Sequence, residues 1–555
     1  FVGTLQVGKN FAFLACDNRT SSDIFIPREK LKGGKDGQKA VVKIVEWPDK
    51  GRNPIGVVLD VLGNAGNNDT EMHAILAEYG LPYSYPKNVE AAANRISDII
   101  PEEEIAQRED FRNVTTFTID PRDAKDFDDA LSFSVCEDGD YQVGVHIADV
   151  TYHVKADSKV DREAYDRGTS IYLVDRVIPM LPENLCNDIC SLRPGEDRLC
   201  MSVIFTMGHD ATVKKYKICR TVIRSDYRLT YEQAQEIISG EGLSILHSPF
   251  SILNFLATVL RRKRMADGAL DLEQDDVRFT LDEHGHPTDI HFVRPTEANH
   301  LIEEFMLLAN RTVATHIGKM EREMVYRVHD QPDKTKLAAL RRFERRKGNS
   351  LEPGTLDLLL VRAMAKAEYS TVNIGHYGLA FEYYTHFTSP IRRYPDMMVH
   401  RLVAEYILGE RHVGKGKWRE DLYESCEHCS AMEQEATQAE RDSVKDYQIM
   451  WLNDHLGETF DGHITNVTRY GLFVRLDTNH CEGLVPMRDI CPGMVMELDE
   501  RNFTLRTKRL KYQRAHWCGD EQLPFEQQTF TLGDPIRVRI LRADLDLRQI
   551  DLAIV

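Results

Sequence analysis

DPRDAKDFDDALSF, residues 120–133, sets Asp120, Asp123, Asp126, Asp128 and Asp129 within ten residues. Like charges this close repel one another, and a carboxylate buried without a partner is costly. The stretch is therefore a solvated loop, or something positive belongs there. Just before it, TTFTID (115–120) reads as a strand closing on Asp120, where a side chain can leave a sheet edge. Asp126 and Asp128 share a face if the next part is extended. Asp129 then points the other way, so the backbone has to turn if all are to converge.

Hard divalent cations prefer oxygen ligands, and Mg2+ usually takes one or two carboxylates while keeping waters for a substrate phosphate. Phosphodiester hydrolysis suits such a site, because one ion activates water and a second, about 3.5–4 Å away, stabilises the leaving oxygen. A structural Ca2+ site competes with this reading, but the stretch lacks the glycine and terminal glutamate of an EF-hand loop.

The 555 residues argue for two to four domains, and 42% hydrophobic content supplies a large core. No apolar run is long enough for a bilayer and no signal-peptide pattern opens the chain, so a cytoplasmic protein without a membrane partner is expected. The chain starts directly on a strand, FVGTLQV, so residues upstream are expected to have been cut away. The 11 scattered cysteines fit reduced thiols. The pairs Cys186/Cys190 and Cys426/Cys429 are too isolated for a four-ligand zinc site. A net charge of −18 argues mildly against nucleic acid, but RNFTLRTKRLKYQR (501–514) holds six basic residues and no acid. RRKR (261–264) and RRFERRK (341–347) are further basic islands that, taken singly, read as solvated faces.

Residues 1–60 read as five short strands, enough for a small barrel. Phe11 and Phe13 alternate onto one face and Phe25 follows in the next strand, an arrangement that can stack bases. The segments KNFAFLAC and DIFIP resemble the RNA-binding strands of a cold-shock domain. Residues 456–555 resemble an S1-type RNA-binding barrel, with Tyr470 and Phe473 implied to face single-stranded RNA. The basic run 501–514 lies inside it and is expected to touch phosphate, while RAHWCGDEQLPFEQQ (514–528) reads as an insertion. Between the barrels, residues 61–455 mix strands with helical stretches such as HLIEEFMLLANRTVATHI and DMMVHRLVAEYI. The expected fold class is therefore a multidomain α+β chain, a large mixed centre flanked by two oligonucleotide-binding (OB) barrels.

TIDPRDAKDFDDALSF resembles the signature of the ribonuclease II/ribonuclease R (RNB) exoribonuclease family, through the spacing D-x5-D-x-D-D. GTSIYLVDRVIPMLPENLCNDICSLRPGEDR (168–198) and HFTSPIRRYPDMMVHRL (386–402) agree, as does the domain order, and the likeness is closer to the ribonuclease R branch. RRKGNSLEPGTLDLLL (345–360) is shorter than the family usually has there. The resemblance implies processive 3′-to-5′ hydrolysis of single-stranded RNA to nucleoside 5′-monophosphates with one or two Mg2+ ions, Mn2+ being an expected substitute. It also implies a monomer, with RNA-degradation or ribosome-associated factors as candidate partners. By motif match, Asp120, Asp126, Asp128 and Asp129 are implied as metal ligands, with Asp128 the principal catalytic residue and Asp126 assisting. Arg392 is implied to hold the scissile phosphate, its planar fork suiting a charge that grows in the transition state. Arg393 is its neighbour, and nothing in the sequence ranks one above the other.

Tyr172 is implied to stack on the 3′-terminal base, although a Tyr between Ile and Leu otherwise reads as core. The second aromatic of the family's clamp should fall near GALDLEQ (268–274), where this chain offers Leu272. Tyr231 and Glu303 match positions that read the 2′-hydroxyl, which distinguishes RNA from DNA. Glu303 neighbours Glu304, and both could face solvent. Glu440 matches a position along the RNA path. Two other readings compete. A non-enzymatic RNA-binding scaffold should have lost an aspartate or the arginine, and here all are present. A DNA exonuclease is disfavoured by Tyr231 and Glu303.

Overall fold

The computed structural model describes residues 1–17, 22–48, 53–271, 275–347, 359–361, 363–410, 416–491, 494–500, 502–508, 517–518, 521–522, 528–545 and 547–555. Leu272, residues 348–358, and most of 509–527 lie outside them.

Near the start, Val2–Val7, Phe11–Cys16, Ile24–Pro27, Ile55–Asn64 and Gln38–Glu46 close into a barrel in that spatial order. Leu5, Leu14, Ile24, Ile26, Val42 and Val58 fill it. Side chains alternate across a strand, so filling the barrel with Ala12 and Leu14 turns Phe11 and Phe13 outward. Near the end, Thr459–Thr468, Gly471–Leu476, Glu482–Pro486, Gln549–Ile554 and Pro535–Asp544 close a second barrel. Gly471 has φ 145°, and a Cβ there would lie 2.0 Å from the Val485 carbonyl oxygen, so the corner accepts only glycine. A three-stranded sheet, Val495–Asp499, Thr504–Lys508 and Thr529–Thr531, is inserted in the chain between Glu482–Pro486 and Pro535–Asp544.

The centre is built on a seven-stranded sheet in the order Tyr227–Thr230, Thr116–Asp120, Asp129–Val135, Tyr141–Ala148, Asp197–Met207, Val213–Arg224, Glu109–Asp110. The two outermost pairings are parallel and the inner ones antiparallel. Its strands are rich in consecutive buried residues, as expected where both faces are covered. Helices His247–Ala266, Glu297–Lys319 and Tyr394–Tyr406 add Phe250, Leu301, Phe305, Met397 and Val399 to the same core.

The helix Leu422–Asn453 has 32 residues, a rod of about 48 Å at 1.5 Å per residue. It packs on the strand Ile171–Tyr172, on the hairpin strand Pro287–Val293 and on the second barrel. Arg548 of that barrel reaches Asp442 (2.8 Å) and Asp446 (3.0 Å) on this helix and Glu78 (3.1 Å) beyond the first barrel. One guanidinium thus ties the second barrel to two helices of the central part. Cys186, Cys190, Cys426 and Cys429 are free thiols in the central core. Among the described residues no helix is long and apolar enough to cross a membrane.

Candidate active site

The strand Thr116–Asp120 ends on Asp120, and Asp129 opens the neighbouring strand Asp129–Val135. The loop between them has to bring Asp126 and Asp128 back to the same sheet edge. Phe127 makes the turn, burying its ring in the central core between the two acids. The Ser191 hydroxyl clasps the loop from behind: it donates to the Lys125 carbonyl (2.7 Å) and accepts from Phe127 N (3.0 Å). Arg228 holds the loop's first half through the carbonyls of Pro121 (2.6 Å) and Arg122 (2.9 Å). Asp123 alone among the five acids of the segment is left exposed.

The four remaining acids sit where ionised carboxylates are poorly tolerated. Burial pushes the Asp120 carboxyl well up, Asp129 and Asp126 add repulsion, and Arg228 opposes them. Asp128 is raised by burial above all, against Arg392 and the Ile391 amide. Asp129 is raised by burial despite Arg392 and Arg393. Asp126 is likewise raised by burial, with Arg392 and a hydrogen bond from Tyr172 pulling it back. One oxygen of Asp128 accepts from Ile391 N at 2.8 Å. Its other oxygen, Oδ2, is buried without a hydrogen bond, as is Oδ2 of Asp120.

The segment 389–393 forms the opposite wall. Arg392 Nε lies 3.8 Å from Asp128 Oδ2, and the Arg392 side chain stays 41% exposed. Its carbonyl accepts from Ser170 N (2.9 Å) and Thr169 Oγ1 (3.1 Å), next to the strand carrying Tyr172. Arg393 turns inward instead and pairs with Asp396 at 2.8 Å. Two adjacent arginines that sequence could not rank are thus separated: one open beside the acids, one committed to a buried partner.

Tyr172 is 41% exposed and so is not a core residue. Its backbone N–H donates to Glu440 Oε1 at 2.8 Å, which places the helix Leu422–Asn453 directly behind it. Tyr231 opens the helix Tyr231–Ile238, whose first turn is closed by a capping box from Thr230 and Gln233. The residue before it, Thr230, pairs with Asp120 across the sheet, and burial raises the Tyr231 phenol pKa, with Asp129 and Asp120 adding. Glu303 faces Arg264 (3.2 Å), His300 (3.6 Å) and Arg261 (3.9 Å), while Glu304 is buried against Arg264 (2.5 Å). The solvent-facing reading is corrected for Glu304 and for Arg264 of RRKR, both buried, whereas Glu303, Arg262 and Lys263 do face solvent. Leu272 lies outside the described residues.

On the first barrel, Phe11, Phe13 and Phe25 form one aromatic face with ring centroids 5.6–6.0 Å apart. On the second, Tyr470 is 60% exposed beneath the Arg469 guanidinium, and Phe473 shares the outer face of its strand with Arg475. The described part of the basic run is partly spent on ion pairs, Arg506 (3.4 Å) and Lys508 (3.7 Å) both meeting Glu497.

The sequence held no sign of the Ile391 amide, the Ser191 clasp or the Thr169–Ser170 contacts. Backbone donors carry no residue signature, and these partners are far apart along the chain.

The donor set is all hard oxygen. Among the described residues no three His, Cys, Asp or Glu side chains close into a ready-made cage. The orphaned oxygens of Asp120 and Asp128 fit a Mg2+-like ion that takes one or two carboxylates and completes its shell from water and phosphate. They do not fit a metal enclosed by protein alone.

A sheet edge of unsatisfied carboxylates faced by an open arginine, between two aromatic-faced barrels, defines a hydrolase of single-stranded nucleic acid. Comparison with known proteins agrees. The RNB domain pattern matches residues 108–409, the cold shock domain pattern 13–86 and the S1 RNA binding domain pattern 454–500. Ribonuclease R of Thermotoga maritima is 36% identical over 100% of this chain and 80% of its own, and that of Escherichia coli K12 is 32% identical over 97% and 68%. A solved Mycoplasma genitalium RNase R in complex with ribose methylated single-stranded RNA superposes with a TM-score of 0.89 at 25% identity, covering 100% of this chain and 89% of that one. The chain belongs to the ribonuclease R family of RNB-domain 3′-to-5′ exoribonucleases.

Proposed function

We propose that this exoribonuclease threads single-stranded RNA past the two barrels and removes nucleoside 5′-monophosphates processively at the 120–129 acids, with Mg2+ as cofactor. The observation carrying this reading is the buried Asp128 carboxylate, whose unpartnered Oδ2 lies 3.8 Å from the half-exposed Arg392. Bound at these acids, Mg2+ would supply charge neutralisation and Lewis-acid polarisation of the phosphodiester and attacking water. One or two carboxylates drawn from Asp120, Asp126, Asp128 and Asp129 would hold it, the orphaned oxygens of Asp120 and Asp128 being the best placed. Arg392 would meet the growing phosphoryl charge through its planar fork. Asp128, tied to the Ile391 amide, would help hold that ion next to the arginine.

Tyr172, propped by Glu440, would stack on the terminal base, and Tyr231 and Glu303 would meet the ribose hydroxyl. Repeated phosphate contacts and base stacking on Phe11, Phe13, Phe25, Tyr470 and Phe473 would retain the strand between cleavages. The free thiols support a reducing compartment, the cytoplasm.

Product analysis with 5′- and 3′-labelled RNA, with Mg2+ and with EDTA, tests the reading, an all-deoxy strand serving as control. Mononucleotides accumulating only with Mg2+ and only from RNA are expected. Full activity in EDTA, or equal hydrolysis of DNA, would overturn it.

A further inference from the structure

Behind the active-site wall lies a further buried carboxylate, the partner of Arg393. Asp396 sits in the first turn of the helix Tyr394–Tyr406 and is fully buried. A single oxygen, Oδ1, accepts both Ser389 N (2.8 Å) and the Arg393 side chain (2.8 Å). Its other oxygen, Oδ2, is buried without a hydrogen bond. A buried ion pair is weak as a source of stability and better attested as a way of fixing one geometry.

The geometry it fixes is the 389–393 turn. The Ser389 carbonyl accepts from Arg393 N (3.0 Å) and Arg392 N (3.4 Å), and the Ser389 hydroxyl accepts from Arg392 Nη2 (3.1 Å). Within that turn, Ile391 N reaches Asp128 Oδ1 at 2.8 Å and Arg392 Nε comes to 3.8 Å from Asp128 Oδ2. The far end is pinned independently, by Ser170 N on the Arg392 carbonyl (2.9 Å) and Tyr394 N on the Gly168 carbonyl (2.9 Å).

We propose that Asp396 is a positioning residue for hydrolysis: its Oδ1, by holding Ser389 and Arg393 together, sets the turn so that the Ile391 amide and the Arg392 guanidinium meet Asp128 at once. This rests on the roles proposed above for Asp128 and Arg392. It also gives Arg393 a task, as the counter-ion that keeps Asp396 in place rather than as a contact to RNA.

The test is steady-state hydrolysis of labelled single-stranded RNA by Asp396→Ala, Asp396→Asn and Asp396→Glu, beside wild type and Arg392→Ala, with kcat corrected for the folded fraction. Misplacement of about 1 Å at a reacting centre lowers rates by about 10²-fold. Asp396→Ala should therefore lose about 10–100-fold in kcat with KM within about threefold. Asp396→Asn keeps an oxygen acceptor but not the charge, so it should melt lower yet hold kcat within about threefold of wild type. Asp396→Glu keeps the charge but displaces the oxygen, and should fall with Ala. Wild-type kcat in Asp396→Ala, or rescue by Glu and not by Asn, would overturn the inference. If Asp396→Ala does not fold, the contrast between Asn and Glu decides. Normal hydrolysis by Arg392→Ala would instead remove the reading on which the inference stands.

Discussion

Two buried acidic sites share the central sheet and have opposite electrostatics. Asp149, just beyond the strand Tyr141–Ala148, is buried against Arg108 at 2.8 Å and against Arg220. Burial alone would push its carboxyl up, but Arg220 and Arg108 hold it well below the usual carboxylate range. At the other site Arg228, Arg392 and Arg393 each lower individual members, and still Asp120, Asp126, Asp128 and Asp129 are all raised. The first site carries its own counter-charge and holds the fold together. The second lacks enough, and the proposed divalent cation would supply the difference. That difference separates a structural acid from a working one more sharply than burial does, since both sites are buried.

If the contrast is right, equivalent substitutions should fail in different ways. Asp128→Asn should lower kcat on labelled RNA by on the order of 10³-fold, above about 4 kcal/mol of barrier, while RNA affinity stays within about threefold. Near-normal release of mononucleotides would move the chemistry elsewhere. Asp149→Ala leaves Arg108 and Arg220 buried and unpaired, and urea denaturation should show a loss of about 3–5 kcal/mol. A loss below about 1 kcal/mol would make Asp149 no more structural than a surface acid. Arg392→Lys keeps the charge without the fork and should cost about 10²-fold in kcat. Its melting temperature should stay unchanged, because the side chain is 41% exposed. Phe13→Ala removes one ring from an outer face without touching the barrel core. Single-stranded RNA should then bind more weakly by about 1–3 kcal/mol, read from Kd at fixed salt.

Much of the architecture was legible because it repeats at short range. Phe11-Ala12-Phe13-Leu14 alternates as the first barrel requires, and TTFTID announces a strand that delivers Asp120 to an edge. Whether the acids converge was not legible. That depends on Phe127 sinking into the core and on Ser191, remote in the chain, closing over the loop. The choice between Arg392 and Arg393 was hidden for the same reason, since it is made by Asp396 and by the Thr169–Ser170 backbone. Glu303 and Glu304 looked equivalent, yet neighbours on a helix point about 100° apart. That rotation puts Glu304 in the core against Arg264 and leaves Glu303 half-exposed.

On the function proposed above, the 120–129 acids oppose the fold until a divalent cation is bound. Asp120 shows the sign: its folded pKa is raised, so the stability it allows is fully present only below its unfolded pKa of about 3.9 and is lost as pH rises toward the folded value. Thermal melts at pH 7.5 of wild type and Asp120→Asn, each in EDTA and in Mg2+, test this directly. The expected result is that Asp120→Asn melts at or above wild type in EDTA and gains nothing from Mg2+, whereas wild type gains. An Asp120→Asn that melts several degrees lower in EDTA, or a wild type indifferent to Mg2+, would contradict it.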